Sequence, residues 1–226
     1  MKIKLAIIIF FLSILFTACV SINTIKQTID NKATVNNNAP VLVKTDFLEL
    51  KADSLILNNS VNSVKKKKSY VIPLIVYWGW KQAYECKLTN LYFIDIFNKV
   101  LSKKMVDFPY EKYLDDKKLI IELTSIPSTF NYSNQGSYIF IPYFSGFGIY
   151  YTFEKIYPEN QQLKFKYQFV DKNGEIKKGE NSFNFKNPSN SMFNPESLGI
   201  DYFIDDLKTE FEFQSNLLID KVIDDL

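Results

Sequence analysis

The chain has no histidine and no arginine, and all 27 of its basic residues are lysine. Without His there is no Ser-His or Cys-His nucleophile pair, and the usual acid–base group and commonest metal ligand are missing. Without Arg there is no planar fork to clamp a phosphate or carboxylate in two-pronged fashion. Only two cysteines, Cys19 and Cys86, occur in 226 residues. There is no glycine-rich phosphate loop, no internal repeat, and no excess of one charge. The net charge is +2, and once Lys2 and Lys4 are set aside the lysines equal the 25 acidic residues. Nucleic-acid binding normally shows as a basic excess on one face, so no nucleic-acid partner is expected. Asp171, Asn173 and Glu175 look like the start of a calcium loop. Ile176 stands where that loop needs Gly, however, and Ser182 where it needs the closing Glu. The expectation is therefore no metal, no cofactor, no catalytic residue and no enzyme.

What is present is a large apolar complement: 46% hydrophobic and 16% aromatic residues, with 20 Phe and 14 Tyr. That is enough for one domain with a real core. The chain opens on Lys2 and Lys4, an apolar run from Leu5 to Phe16 broken only by Ser13, and the small residues Thr17 and Ala18 before Cys19. This is the grammar of an export signal, and the polar Ser21, Asn23 and Lys26 arrive too early for a spanning helix. Phe16-Thr17-Ala18-Cys19 resembles a bacterial lipobox, although Phe16 occupies the place where that family usually has Leu. The resemblance implies that residues 1–18 are a signal peptide and that Cys19 carries acyl chains anchoring the protein to membrane lipid. Val20 and Ser21 supply none of the early acidic residues that mark inner-membrane retention or surface export in such lipoproteins. The implied place is the outer membrane, facing the periplasm. Residues 19–40, polar and rich in Asn, read as a tether of roughly 25 Å, and residues 41–226 as a single domain.

Along that domain, residues 41–57 suggest one or two short strands, and 58–69, with Lys65 to Lys68, a loop. The lysine run reads as a solvated flank, with anionic lipid headgroups as the functional alternative. Tyr70 to Leu88 reads as the centre of the fold. Its first part is apolar at both parities, as in a strand buried on both faces, and Pro73 marks a strand start or edge. Gly79 suggests a bulge. From Trp80 the pattern alternates, placing Cys86 on the apolar side with Trp80, Tyr84 and Leu88. Thr89 or Asn90 can cap a helix from Leu91 to about Lys104. Leu119 to Ile126 is a strand, Asn134-Gln135-Gly136 signals a hairpin, and Tyr138–Phe144 and Ile149–Phe153 are strands meeting at Ser145 to Gly148. Leu163 to Val170 alternates cleanly as a half-buried strand and turns back at Asp171 to Gly174. A long final helix spans Glu196 to Leu226, with Asn194 as N-cap and Pro195 in its first turn. Its apolar stripe is Ile200, Phe203, Ile204, Leu207, Phe211, Leu218 and Val222, with a lapse at Gln214 and Ser215 that invites a kink.

This order predicts an α+β fold: a twisted, mostly antiparallel sheet with helices packed on one face, including a long C-terminal helix. It resembles, in topology only and over about Val41 to Leu226, small envelope lipoproteins such as lipopolysaccharide-assembly and transporter-auxiliary lipoproteins. No motif carries that likeness, so no functional residue follows from it. The expected function is non-enzymatic: a lipid-anchored lipoprotein binding or scaffolding an envelope protein or lipid partner. A structural or adhesive surface role and a His-independent hydrolase are the alternatives. The candidate partner-binding residues are Tyr143, Phe144, Phe147 and Tyr150, in a stretch without a charge from Tyr138 through Phe153. A hairpin tip is ordinarily polar, and exposed aromatic patches mark interaction sites.

Overall fold

The computed structural model describes residues 21–34, 42–74, 77–107, 117–140, 148–159, 162–171, 173–185, 191–192 and 199–225. In chain order the elements are α1 (Ile22–Lys32), β1 (Leu48–Ala52), α2 (Ser54–Leu57), β2 (Ser63–Pro73), β3 (Tyr77–Lys87), α3 (Asn90–Asp107), β4 (Lys118–Ser125), β5 (Thr129–Phe140), β6 (Gly148–Pro158), β7 (Gln162–Asp171), β8 (Gly174–Asn184), β9 (Ser191–Met192) and α4 (Gly199–Asp224). The fold is α+β and mostly antiparallel, but its strands form two sheets. One runs β1-β4-β7-β8 and the other β2-β3-β5-β6-β9, with β1–β4 the parallel pair. The chain leaves the first sheet for the second between β4 and β5. There Pro127 has no N–H to continue a ladder, and Leu88 N donates to Ser128 O at 2.8 Å.

Both sheets bury one face into a single core with the helices. Phe97 of α3 meets Phe165 of β7 at 5.6 Å between ring centroids, and Phe203 of α4 meets Phe130 of β5 at 4.9 Å. Phe93 and Phe211 join the two helices. The alternation in β7 is realised: Leu163, Phe165, Tyr167 and Phe169 are buried, each such side chain contributing roughly 1.5–3 kcal/mol. Gly174, at φ +125°, makes the turn into β8. Thr89 Oγ1 accepts from Leu91 N at the start of α3. Along α4 every residue of the expected stripe is buried, together with Ile219. The helix continues unbroken through Gln214 and Ser215, which are themselves buried; the Gln214 amide donates to Glu210 one turn back at 2.7 Å. Asn194 and Pro195 lie outside the described residues.

Cys86 is fully buried, as its parity implies, and burial first, then the Glu85 charge, pushes its thiol up to about 12.

Five expectations are corrected. Residues 22–32 are not tether but helix α1: Ser21 Oγ accepts from Thr24 N at 3.0 Å, Ile25 and Ile29 are fully buried, and Lys32 pairs with Asp205 of α4 at 2.6 Å. The loop assigned to 58–69 is largely strand β2, with Lys65 to Lys68 inside it. β2 is a sheet edge, where lysines are tolerated and discourage further strand addition. The bulge falls between Lys66 and Lys68, not at Gly79, and Lys67 at that shift pairs with Glu85. The first part of Tyr70 to Leu88 is not a strand buried on both faces but the end of β2, exposed at Tyr70, Val71 and Ile72, after which Leu74 and Tyr77 exchange hydrogen bonds and β3 begins; the alternation from Trp80 is realised in β3. Finally, Asn134-Gln135-Gly136 is no hairpin. β5 runs straight through it, paired with β3 and β6 on either side, and position 136 is glycine where an added side chain would collide with the Trp80 ring, at 2.2 Å.

Candidate functional site

The strands of the five-stranded sheet are long, and the helices cover only part of them. At one end the core-facing residues Cys86, Phe130, Tyr132 and Ile156 are buried. At the other, Val71 on the core side and Tyr70, Ile72, Ile139 and Tyr151 on the outward side are exposed, as is Leu74 beyond them, with Leu74 at 55% and Tyr151 at 45%. The register brings these together from two hairpins: Ile72 lies opposite Gly79, Gly79 opposite Ser137 and Ser137 opposite Tyr151, while Tyr77 lies opposite Ile139. This is an uncharged apolar edge shared by four strands.

Of the residues singled out in the sequence, Tyr150 lies in β6 opposite Tyr138, and its side chain is outside the described residues. Cys19, Tyr143, Phe144 and Phe147 also lie outside them. Pairing of Phe140 with Gly148 sets the two ends of the 141–147 connection side by side at the bare end of the sheet. The β2–β3 contribution, Tyr70 to Leu74, was missed. Its signal was the apolar run at both parities, which here marks strand ends that outrun the core.

Between the bare and covered ends lies a buried polar cluster. Glu154 of β6 accepts from the Tyr132 hydroxyl at 2.7 Å, from Asn134 at a long 3.5 Å, and from the Gly199 backbone N–H at 2.6 Å. Trp80 Nε1 donates to Asn134 Oδ1 at 3.0 Å. Burial, then the Glu154 charge, pushes the Tyr132 hydroxyl far up, so it remains a donor. The carboxylate thus closes the N-terminus of α4, where the helix leaves N–H groups unpaired and its dipole favours negative charge. All its oxygens are engaged in holding the helix to the sheet. Sequence parity does carry this cluster, since Asn134 and Glu154 share the core side with Tyr132 and Ile156.

A groove of about 480 Å³ crosses the outer face of the four-stranded sheet. Its register sets Lys51 opposite Glu122, Glu122 opposite Lys166, and Lys166 opposite Glu180. Each charge therefore has an opposite neighbour across the strand gap, which suits a solvated face. Among the described residues no group of three or more His, Cys, Asp or Glu could hold a metal ion, and no helix is long and apolar enough to cross a membrane. No family model matches the chain, and no curated protein or solved structure matches it.

Proposed function

We propose that this is a non-enzymatic cell-envelope lipoprotein, anchored by acyl chains on Cys19 at the outer membrane and facing the periplasm, that binds a membrane-protein or lipid partner. The bare end of the five-stranded sheet is the binding surface. The observation that supports it is the set of exposed apolar side chains Tyr70, Val71, Ile72, Leu74, Ile139 and Tyr151, gathered by two hairpins at one end of the sheet. Contiguous exposed apolar surface is what interaction sites retain and ordinary solvated faces lack.

Two measurements test this. Labelled fatty acid should enter the wild-type chain and not the Cys19→Ala chain; equal labelling would remove the anchor. A photo-crosslinking residue at position 151, in intact cells, should give adducts with protein or lipid, whereas one at the outward Lys166 of the other sheet should not. Absence of adducts at 151 would remove the binding surface.

A further inference from the structure

Among the described residues, the outward face of the bare end carries cations without acids. From the tip, its rows are Tyr77 and Ile139; then Ile72, Gly79, Ser137 and Tyr151; then Tyr70, Lys81, Gln135 and Phe153; then Lys68, Ala83, Ser133 and Lys155. Successive rows are two residues, about 7 Å, apart along the strands. Two leading rows, in which Tyr77, Ile139, Ile72 and Tyr151 are apolar and Gly79 and Ser137 are buried between them, are thus followed by two that hold three lysines and no carboxylate. Among the described residues no carboxylate forms an ion pair with Lys68, Lys81 or Lys155; Lys155 lies 5.3 Å from the centroid of the Phe153 ring. The first acid on this face, Glu85, is one row further on and is paired with Lys67.

We propose that this face docks on an anionic lipid bilayer, its two leading rows entering the headgroup boundary and Lys81, Lys68 and Lys155 meeting lipid phosphates. The inference rests on the bare sheet end being a binding surface and names its ligand. Three observations favour a bilayer over a protein. Interfacial elements sink roughly 5–10 Å, which buries the first two rows and leaves the lysines, beginning about 13 Å behind the leading row, at headgroup level. Tyr flanking an apolar edge with Lys behind it is the arrangement suited to a water–lipid boundary, whereas protein interfaces are depleted in Lys. And the described chain begins at Ser21, two residues after Cys19, so an acyl anchor there holds the domain within roughly 10 Å of lipid.

The test uses the full chain, purified from membranes and reconstituted, with a bimane fluorophore on Tyr151→Cys; Cys86 is buried and escapes labelling. Brominated phosphatidylcholine should quench the label in bilayers containing phosphatidylglycerol and much less in phosphatidylcholine alone. Lys68→Gln, Lys81→Gln and Lys155→Gln should each weaken docking about fivefold. Should Tyr151→Cys fold poorly by thermal melting, Ile72→Cys carries the label instead. No quenching with phosphatidylglycerol, or equal quenching in both bilayers, overturns the proposal. In the first case, a label that is shielded in native envelope membranes means that a protein covers the surface and only the lipid assignment fails. A label open to water there as well removes the binding surface too.

Discussion

The two ends of the five-stranded sheet are built from the same strands and similar residues, yet one is core and the other is bare. Phe130, Tyr132 and Ile156 face the core, Phe130 against Phe203 of α4, whereas at the other end Val71 on that same side, and Ile72, Ile139 and Tyr151 on the outward side, meet solvent. Apolar patterning therefore states that a side chain needs cover without stating what supplies it. The covered end is covered from within the chain, and we assign the bare end a cover from outside.

The largest effect that would sharpen this contrast is at the covered end. Phe203→Ala should cost about 4 kcal/mol in urea unfolding, since Phe203 is fully buried against Phe130; a loss near zero would mean α4 is not seated on the sheet. At the boundary, Glu154→Ala should cost about 3 kcal/mol, because it leaves the Gly199 N–H and the Tyr132 hydroxyl buried without their acceptor. Glu154→Gln should recover part of it.

Cys86 tests the covered end more gently. Cys86→Ser should cost about 2 kcal/mol by burying a hydroxyl, and the native thiol should resist a bulky maleimide. Its folded value is raised from 9.0 to about 12. Between those values the unfolded chain loses the thiol proton and the folded chain keeps it, so this group's stabilising contribution is full below pH 9.0 and shrinks as pH rises. The stability advantage of wild type over Cys86→Ala should narrow in that window. Smallest of all, Ile72→Ser and Tyr151→Ser at the bare end should change stability by less than about 0.5 kcal/mol while reducing membrane docking. A large loss of stability there would show that the end is core after all.

How much of this was legible in the sequence depended on whether one local signal stood alone. Alternation in Leu163 to Phe169, the 3.6-residue stripe from Ile200 to Val222, and the parity of Cys86 each point one way, and the structure follows. Helix α1 was hidden because Ile25 and Ile29 sit among Asn, Thr and Asp, residues with little helix preference of their own; its stability comes from docking on α4 and β2. The lysine run was misread because a sheet edge accepts charges that a central strand would not. Asn134-Gln135-Gly136 carries a strong turn signal, but the glycine is there for the Trp80 ring, a contact made 56 residues away along the chain and invisible to any local window. The division into two sheets is likewise a long-range outcome. Of the candidate site, Ile139 and Tyr151 fall in the stretch marked by its missing charges, while Tyr143, Phe144, Phe147 and the Tyr150 side chain lie outside the described residues. The β2–β3 half was not, because exposure and double burial produce the same apolar run.

Helix α1 has a consequence for the order of assembly. Its seat is made partly of α4, and its ion pair joins Lys32 to Asp205, 173 residues later. The first helix to be made therefore cannot dock until the last one exists, and closing so long a loop depends on everything between having folded. Before residues 199–224 have formed their helix, α1 is too short to hold its shape alone, and residues 21–34 remain a slack segment ahead of the domain. Completion of α4 takes up that slack, so the order of these N-terminal residues is set by the far end of the chain. A chain truncated before Gly199 would keep those residues and lose their seat.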